Sequence, residues 1–329
     1  MLIDLSGDQP FLRGRVTQMT LTTGSASSAD ELGKHTEAEV KSQPEVWAKV
    51  LDLVDDARSL LPAKGARVLA LGCGTSYYIA DSYARLRQSL GHGRTRAMIA
   101  TELDPAELDD HGPFDVAVLL TRSGTTSDLV RLAGDLSGKI ETIAVTGTPA
   151  SPITEVADSH VLLDFADERS VVQTRFATSA LTLFRASAGD TVADLPDAAR
   201  EALADPLVAD PADHDHLVFL GTGWTLGLAD EAALKCRESA QLWTEAYATL
   251  EYRHGPISCA GPRSLIWSFA PLPADVIASI EATGATLRIA TTDPQAELVR
   301  VHRLAIAYAR ARGLDCDTPV HLSRAVIVK

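Results

Sequence analysis

The run Arg67-Val68-Leu69-Ala70-Leu71 closes on Gly72-Cys73-Gly74-Thr75-Ser76 and leads into a helix-patterned stretch from Tyr77 to Leu90. A continuous apolar run has no polar face, so it reads as a strand buried on both sides, the kind found in parallel sheets covered by helices. The glycines and hydroxyls then make a tight turn at a helix N-terminus, where backbone N–H groups point outward.

The unit recurs. Phe114-Asp115-Val116-Ala117-Val118-Leu119-Leu120 runs into Thr121-Arg122-Ser123-Gly124-Thr125-Thr126 and a helix from Asp128 to Leu136, and apolar runs at 142–146 and 160–164 continue the alternation. After an Ala/Asp/Pro-rich passage from Ser187 to His214, with one helix expected at 194–203, the opening theme returns. Leu217-Val218-Phe219-Leu220-Gly221-Thr222-Gly223 precedes a helix from Leu226 to Leu242, with further strands at 264–269 and 286–290 and a helix at 296–310. The pattern predicts an α/β chain of two tandem, doubly wound parallel-sheet domains in three layers. Residues 1–30 read as a flexible segment, 31–195 as the first domain with N-terminal helices, and 196–329 as the second with a C-terminal tail.

Composition narrows the function. Of 329 residues, 46% are hydrophobic and 22% charged, the balance of a folded globular protein. Lys and Arg number 30 against 44 Asp and Glu, a formal charge of −14 with no basic run, which disfavours nucleic acid and acidic membrane surfaces as partners. A single small phosphate is still allowed, because a few N–H and O–H donors bind one inside an acidic protein. Cys73, Cys236, Cys259 and Cys316 stand singly, without zinc spacing, so no metal is expected and a reducing cytoplasm is. The start of the chain lacks a signal-peptide pattern, and no apolar run reaches the roughly 18 residues of a membrane span.

Two turns carry candidate chemistry. Gly72-x-Gly74 lacks the third glycine of a dinucleotide fingerprint, since Tyr77 stands there, so no redox cofactor is expected. The hydroxyls of Thr75 and Ser76 suit a compact anion better, and Thr121, Ser123, Thr125 and Thr126 repeat the recipe around Gly124. The alternative is a pair of helix caps that bind nothing. Downstream, Lys235 and Glu238 lie one helical turn apart and His254 precedes Gly255-Pro256, which supplies an acid, a base and a cation. Glu231, Lys235 and Glu238 equally fit a surface ion-pair ladder, and His254 a loop histidine.

Taken together, Cys73-Gly74-Thr75-Ser76, Thr121-Arg122-Ser123-Gly124-Thr125-Thr126, Glu168-x-x-Val171-x-x-Thr174, Glu231-x-Ala233-Leu234-Lys235-x-x-Glu238, Glu245-Ala246-Tyr247, Glu251 and His254-Gly255-Pro256 resemble the sugar isomerase (SIS) family. More narrowly they are similar to the isomerase half of glucosamine-6-phosphate synthase and its stand-alone relatives, over about residues 40–329. The resemblance implies that Ser76, Thr121, Ser123 and Thr126 hold a sugar phosphate, with Thr75, Arg122, Val171 and Arg324 as further candidates for substrate contact. It implies that Glu238 moves a proton between C1 and C2 through an enediol or enolamine, that Lys235 stabilises the developing charge, and that His254 opens the sugar ring from the neighbouring subunit of a homodimer. No metal or other cofactor is implied. A glutaminase domain is not expected, and Arg324 stands where the synthase has an imine-forming lysine, which a guanidinium does not replace. The expected activity is therefore isomerisation or deamination of a hexose or hexosamine 6-phosphate. Alternatives are a deglycase of phosphorylated sugar-amine adducts and a catalytically silent phosphosugar sensor.

Overall fold

A computed structural model describes residues 31–106, 108 and 113–328. The flexible segment expected at 1–30 lies outside the described residues. The chain enters through helices α1 (Lys34–Lys41) and α2 (Gln43–Ala57) and continues β1 (Val68–Gly72), α3 (Thr75–Ser89), β2 (Thr95–Ile99), β3 (Val116–Thr121), α4 (Ser127–Leu136), β4 (Glu141–Thr146), α5 (Pro152–Val156) and β5 (Ser159–Leu162). Helices α6 (Arg175–Ser187) and α7 (Leu195–Ala204) lead to β6 (His216–Gly221), α8 (Thr225–Ala240), β7 (Thr244–Ala248), β8 (Ser264–Ser268), α9 (Ala274–Glu281), β9 (Thr286–Ile289) and α10 (Pro294–Ala311).

Nine strands form two sheets among the described residues. The first runs β2-β1-β3-β4-β5 and the second β7-β6-β8-β9, and every pairing is parallel. Both orders reverse beside their first strand, which is the topology that opens a crevice beyond the strand ends.

Strand alternation explains the layers. Val68 and Ala70 of β1 face a middle layer of helices, while Leu69 and Leu71 face the opposite side with α4. In the second sheet Leu217 and Phe219 turn to the same middle layer, and Val218 and Leu220 turn outward to α9. Both faces of each inner strand are covered, as the uninterrupted apolar runs require. The middle layer holds α2, α3, α6, α7, α8 and α10 and is shared by both sheets. Helix α7, inside the passage 187–214, buries Leu195, Ala199 and Ala202 there. The largest buried rings keep their polar atoms satisfied, with Trp47 Nε1 donating to Thr178 Oγ1 at 3.0 Å and Trp267 Nε1 to Glu297 Oε1 at 3.0 Å. No described helix is long and apolar enough to cross a membrane.

Candidate active site

At the carboxyl ends of β1 and β3 lies a small cavity lined by Cys73, Ser76, Thr121, Arg122, Ser123, Thr126, Gln173 and Arg324, with Leu120 and Leu129 beneath. It adjoins a wider cleft walled by Gly74, Thr75, Val171, Lys235, Glu238 and residues 322–326 of the tail. The two share Cys73, Arg122, Thr126, Gln173 and Arg324. The fold thus gathers ten of the eleven candidate residues around one depression.

The remaining candidate is His254. It is exposed on the short 3-10 segment Glu251–His254 after β7 and lines neither hollow.

The hydroxyls are not spent on helix caps. Gly74 and Thr126 occupy the N-cap positions of α3 and α4, and neither helix has a side-chain cap hydrogen bond. Ser76 sits in the first turn of α3, where the helix dipole favours an anion. Within the second turn, Thr121 Oγ1 accepts from Gly124 N at 3.2 Å, and Ser123 Oγ accepts from Thr125 N at 3.2 Å and Thr125 Oγ1 at 3.0 Å. These bonds hold the loop in shape.

Helix α8 brings in the charged groups. Gly227 lets it press on α3, since a Cβ there would meet Tyr78 O and Ser82 Oγ at 2.4 Å. That close approach carries Lys235 to Thr75, whose Oγ1 accepts from Lys235 Nζ at 2.8 Å. Lys235 Nζ also donates to Glu238 and lies 3.5 Å from Glu231 Oε1. The ladder read from the sequence exists, but it is inside the protein: the side chains of Lys235 and Glu231 are each 1% exposed and that of Glu238 21%. Burial pushes the lysine down, yet Glu231 and Glu238 outweigh it and hold Lys235 above the ordinary lysine range. Burial pushes Glu231 up to about 8, against the pull of Lys235. One ammonium is thus held between two carboxyls, and only the outer one, Glu238, opens to the cleft.

Arg122 and Arg324 fasten the tail over this cleft. Arg122 is fully buried, donates to Ser170 O at 2.9 Å and Arg324 O at 3.2 Å, and faces Glu168 Oε2 at 3.6 Å. Burial draws its pKa down, with Glu168 acting against this. The Arg324 guanidinium reaches Glu168 O and the Asp167 carboxylate. Further along, Ser127 N donates to Val326 O at 3.2 Å and Val328 N to Ser127 Oγ at 3.0 Å. Both arginines are therefore at the site and already engaged in protein contacts.

Gln173, Cys73 and the tail backbone were missed as site components. Gln173 falls inside the spacing Glu168-x-x-Val171-x-x-Thr174, two residues past Val171, a signal that could have found it. Among the described residues no cluster of His, Cys, Asp or Glu could hold a metal ion, and all four cysteines are free thiols.

Known proteins share this fold. A family model described as the SIS domain matches residues 60–188. The isomerizing glutamine–fructose-6-phosphate aminotransferase of Methanothermobacter thermautotrophicus is 26% identical over 86% of this chain and 54% of its own length. The chain thus spans about half the length of the aminotransferases it matches. A Streptomyces coelicolor protein assigned as the D-galactosamine-6-phosphate deaminase AgaS is 30% identical, over 72% of this chain and 70% of its own. Among solved structures, the glucosamine-6-phosphate deaminase of Thermotoga maritima is 25% identical and superposes with a TM-score of 0.71 over 89% of this chain and all of its own. The tagatose-6-phosphate ketose/aldose isomerase of Escherichia coli, at 20% identity and a TM-score of 0.72 over 93% of this chain and 98% of its own, shares the fold. Fold and relatives agree, and the chain belongs to the SIS-domain family.

Proposed function

We propose that the protein is a sugar-phosphate isomerase or deaminase acting on a hexose or hexosamine 6-phosphate, built as two tandem SIS-type domains at 31–195 and 196–329. One observation carries the reading: the Lys235–Glu238 pair opens on a cleft continuous with a hydroxyl-lined hollow of phosphate character. Ser76, Thr121, Ser123 and Thr126 hold the phosphate with neutral donors and the positive ends of two helices. Glu238 takes the C2 proton of the open-chain sugar and returns it at C1 on the same face. Lys235, kept cationic by its two carboxyls, stabilises the enediolate or enolamine oxygen. Val171 lines the cleft wall, and Arg324 closes the cleft through the tail instead of forming an imine.

His254, exposed and outside the cleft of its own chain, acts as the ring-opening acid/base in the partner's cleft of a homodimer. The protein works in the cytoplasm and needs neither metal nor redox cofactor for this proton chemistry. The deaminase branch draws support from the AgaS protein and from the Thermotoga maritima deaminase.

Incubation with hexose and hexosamine 6-phosphates, with ammonia and ketose followed in parallel, tests the reading. Turnover of one member, with ammonia released only from an amino sugar, is the expected result. Absence of turnover across the panel, or full activity after Glu238→Gln, contradicts it.

A further inference from the structure

Gln173 stands between the two hollows and lines both. Its backbone is pinned from the next residues, because Glu168 Oε1 accepts from Thr174 N at 2.6 Å, Thr174 Oγ1 at 2.8 Å and Arg175 N at 2.8 Å. The side chain is therefore presented from a fixed base at the start of α6. Its carboxamide oxygen is buried and has no hydrogen-bond partner among the described residues. A buried acceptor left without a donor is costly, and such atoms mark places where a ligand completes the site.

The position of Gln173 limits which ligand group can be that donor. On the phosphosugar reading, on which this inference rests, the phosphate fills the small hollow and the reacting carbons face Lys235 and Glu238. The stretch of ligand passing Gln173 is then the phosphate-bearing C6 and its neighbour C5. In an aldose pyranose and in a ketose furanose alike, O5 is the ring ether and carries no hydrogen. Only the open chain has a C5 hydroxyl that can donate. A ring oxygen would set one acceptor against another in a buried position.

We propose that Gln173 is a specificity-determining residue that holds the sugar in its open-chain form by accepting a hydrogen bond from the C5 hydroxyl. Ring opening by a separate acid/base group would then deliver a product that the cleft binds better than the ring it came from. The hydroxyls around the phosphate do not distinguish the two forms, since C6 and its phosphate are the same in both.

Calorimetric titration with two carbonyl-free probes tests this without turnover. D-glucitol 6-phosphate is the open-chain mimic, 1,5-anhydro-D-glucitol 6-phosphate is the ring-locked one, and inorganic phosphate is the reference. The wild type is expected to bind the open mimic at least about tenfold tighter than the locked one. Gln173→Leu should bring that ratio close to one, and Gln173→Met serves the same comparison should the leucine variant fold poorly. A wild-type ratio near one, or equal loss of both sugars in the variant, overturns the role of Gln173 while leaving the phosphosugar reading intact. Failure of the wild type to bind any of the three overturns both.

Discussion

The turns after β1 and β6 are built on one plan and do different work. In each, a glycine ends the strand against the following helix: a Cβ on Gly72 would meet Ser76 C at 2.5 Å, and one on Gly221 would meet Thr225 O at 2.4 Å. The first turn offers Thr75 and Ser76 outward, to Lys235 and to the small hollow. The second uses its hydroxyls on itself. Thr225 Oγ1 accepts from Thr222 N at 2.9 Å and donates to Thr222 O at 3.0 Å, while Thr222 Oγ1 donates to Thr249 Oγ1 at 2.9 Å.

The neighbouring turns differ in the same sense. After β3 come Thr121-Arg122-Ser123-Gly124-Thr125-Thr126, and after β8 come Phe269-Ala270-Pro271-Leu272-Pro273, where the prolines have no N–H and no side chain donates. Trp224, at the position matching Thr75 in the first turn, lies beneath the Arg185 guanidinium with 4.8 Å to the ring centroid. Strand order provides a crevice in both sheets, and the hydroxyls of Ser76, Thr121, Ser123 and Thr126 line the hollow at the first of them. The second sheet contributes instead through α8, whose Lys235 and Glu238 reach across to the first.

The hardest way to break this division is Lys235→Met. Above about pH 8, where Glu231 is ionised, it strands that carboxylate in the interior without a counter-charge and removes the donor to Thr75, so unfolding free energy at that pH should fall by about 3–5 kcal/mol in chemical denaturation. Adding Glu231→Gln should restore much of that stability without restoring activity. A loss below about 1 kcal/mol would return the ladder to the category of surface pairs.

Glu231 also sets a pH dependence. Its carboxyl titrates near 8 in the fold against an ordinary value of 4.5, so the neutral form is favoured in the folded state. The sign follows: its contribution is fully present below 4.5 and is lost as pH rises through about 8. Relative to Glu231→Gln, the wild type should lose stability across that window, by at most about 1.4 kcal/mol per pH unit. Denaturation series of both proteins at several pH values measure it, and parallel curves would contradict it.

A smaller effect separates the two turns directly. Ser123→Ala combined with Thr126→Val should weaken inorganic phosphate or sugar-phosphate binding by about tenfold or more. Thr222→Val combined with Thr225→Val should leave that affinity unchanged, whatever it does to stability. Equal losses in calorimetry would erase the distinction.

How much of this was legible in the sequence depends on the range of the interaction. The inner strands β1, β3, β4, β6 and β8 carry apolar runs and read clearly, as did the hydroxyl-rich turns and the i, i+3 spacing of Lys235 and Glu238. Strands β2 and β7 were not recognised as strands. Both are edge strands with mixed polarity, Thr-Arg-Ala-Met-Ile and Thr-Glu-Ala-Tyr-Ala, largely half-exposed, so neither carries an apolar run. Helix α3 begins at Thr75, two residues before the apolar pattern suggested, because glycine and hydroxyl residues at a helix start hide it. The burial of the ion-pair ladder was invisible for a different reason. Spacing places Lys235 beside Glu231 and Glu238, but only the packing of α8 on α3 removes them from water. The tail contacts of Arg122 join residues about 200 positions apart, and no local pattern predicts them.

The central claim is that Glu238 moves a proton on a sugar held by the first turn pair. NMR of the preferred sugar phosphate incubated in D2O measures this at the reacting carbons. Wild type should wash deuterium into C1 or C2, and Glu238→Gln should slow that exchange by about 100- to 10,000-fold while retaining sugar-phosphate affinity. Exchange at the wild-type rate in the variant would contradict the account.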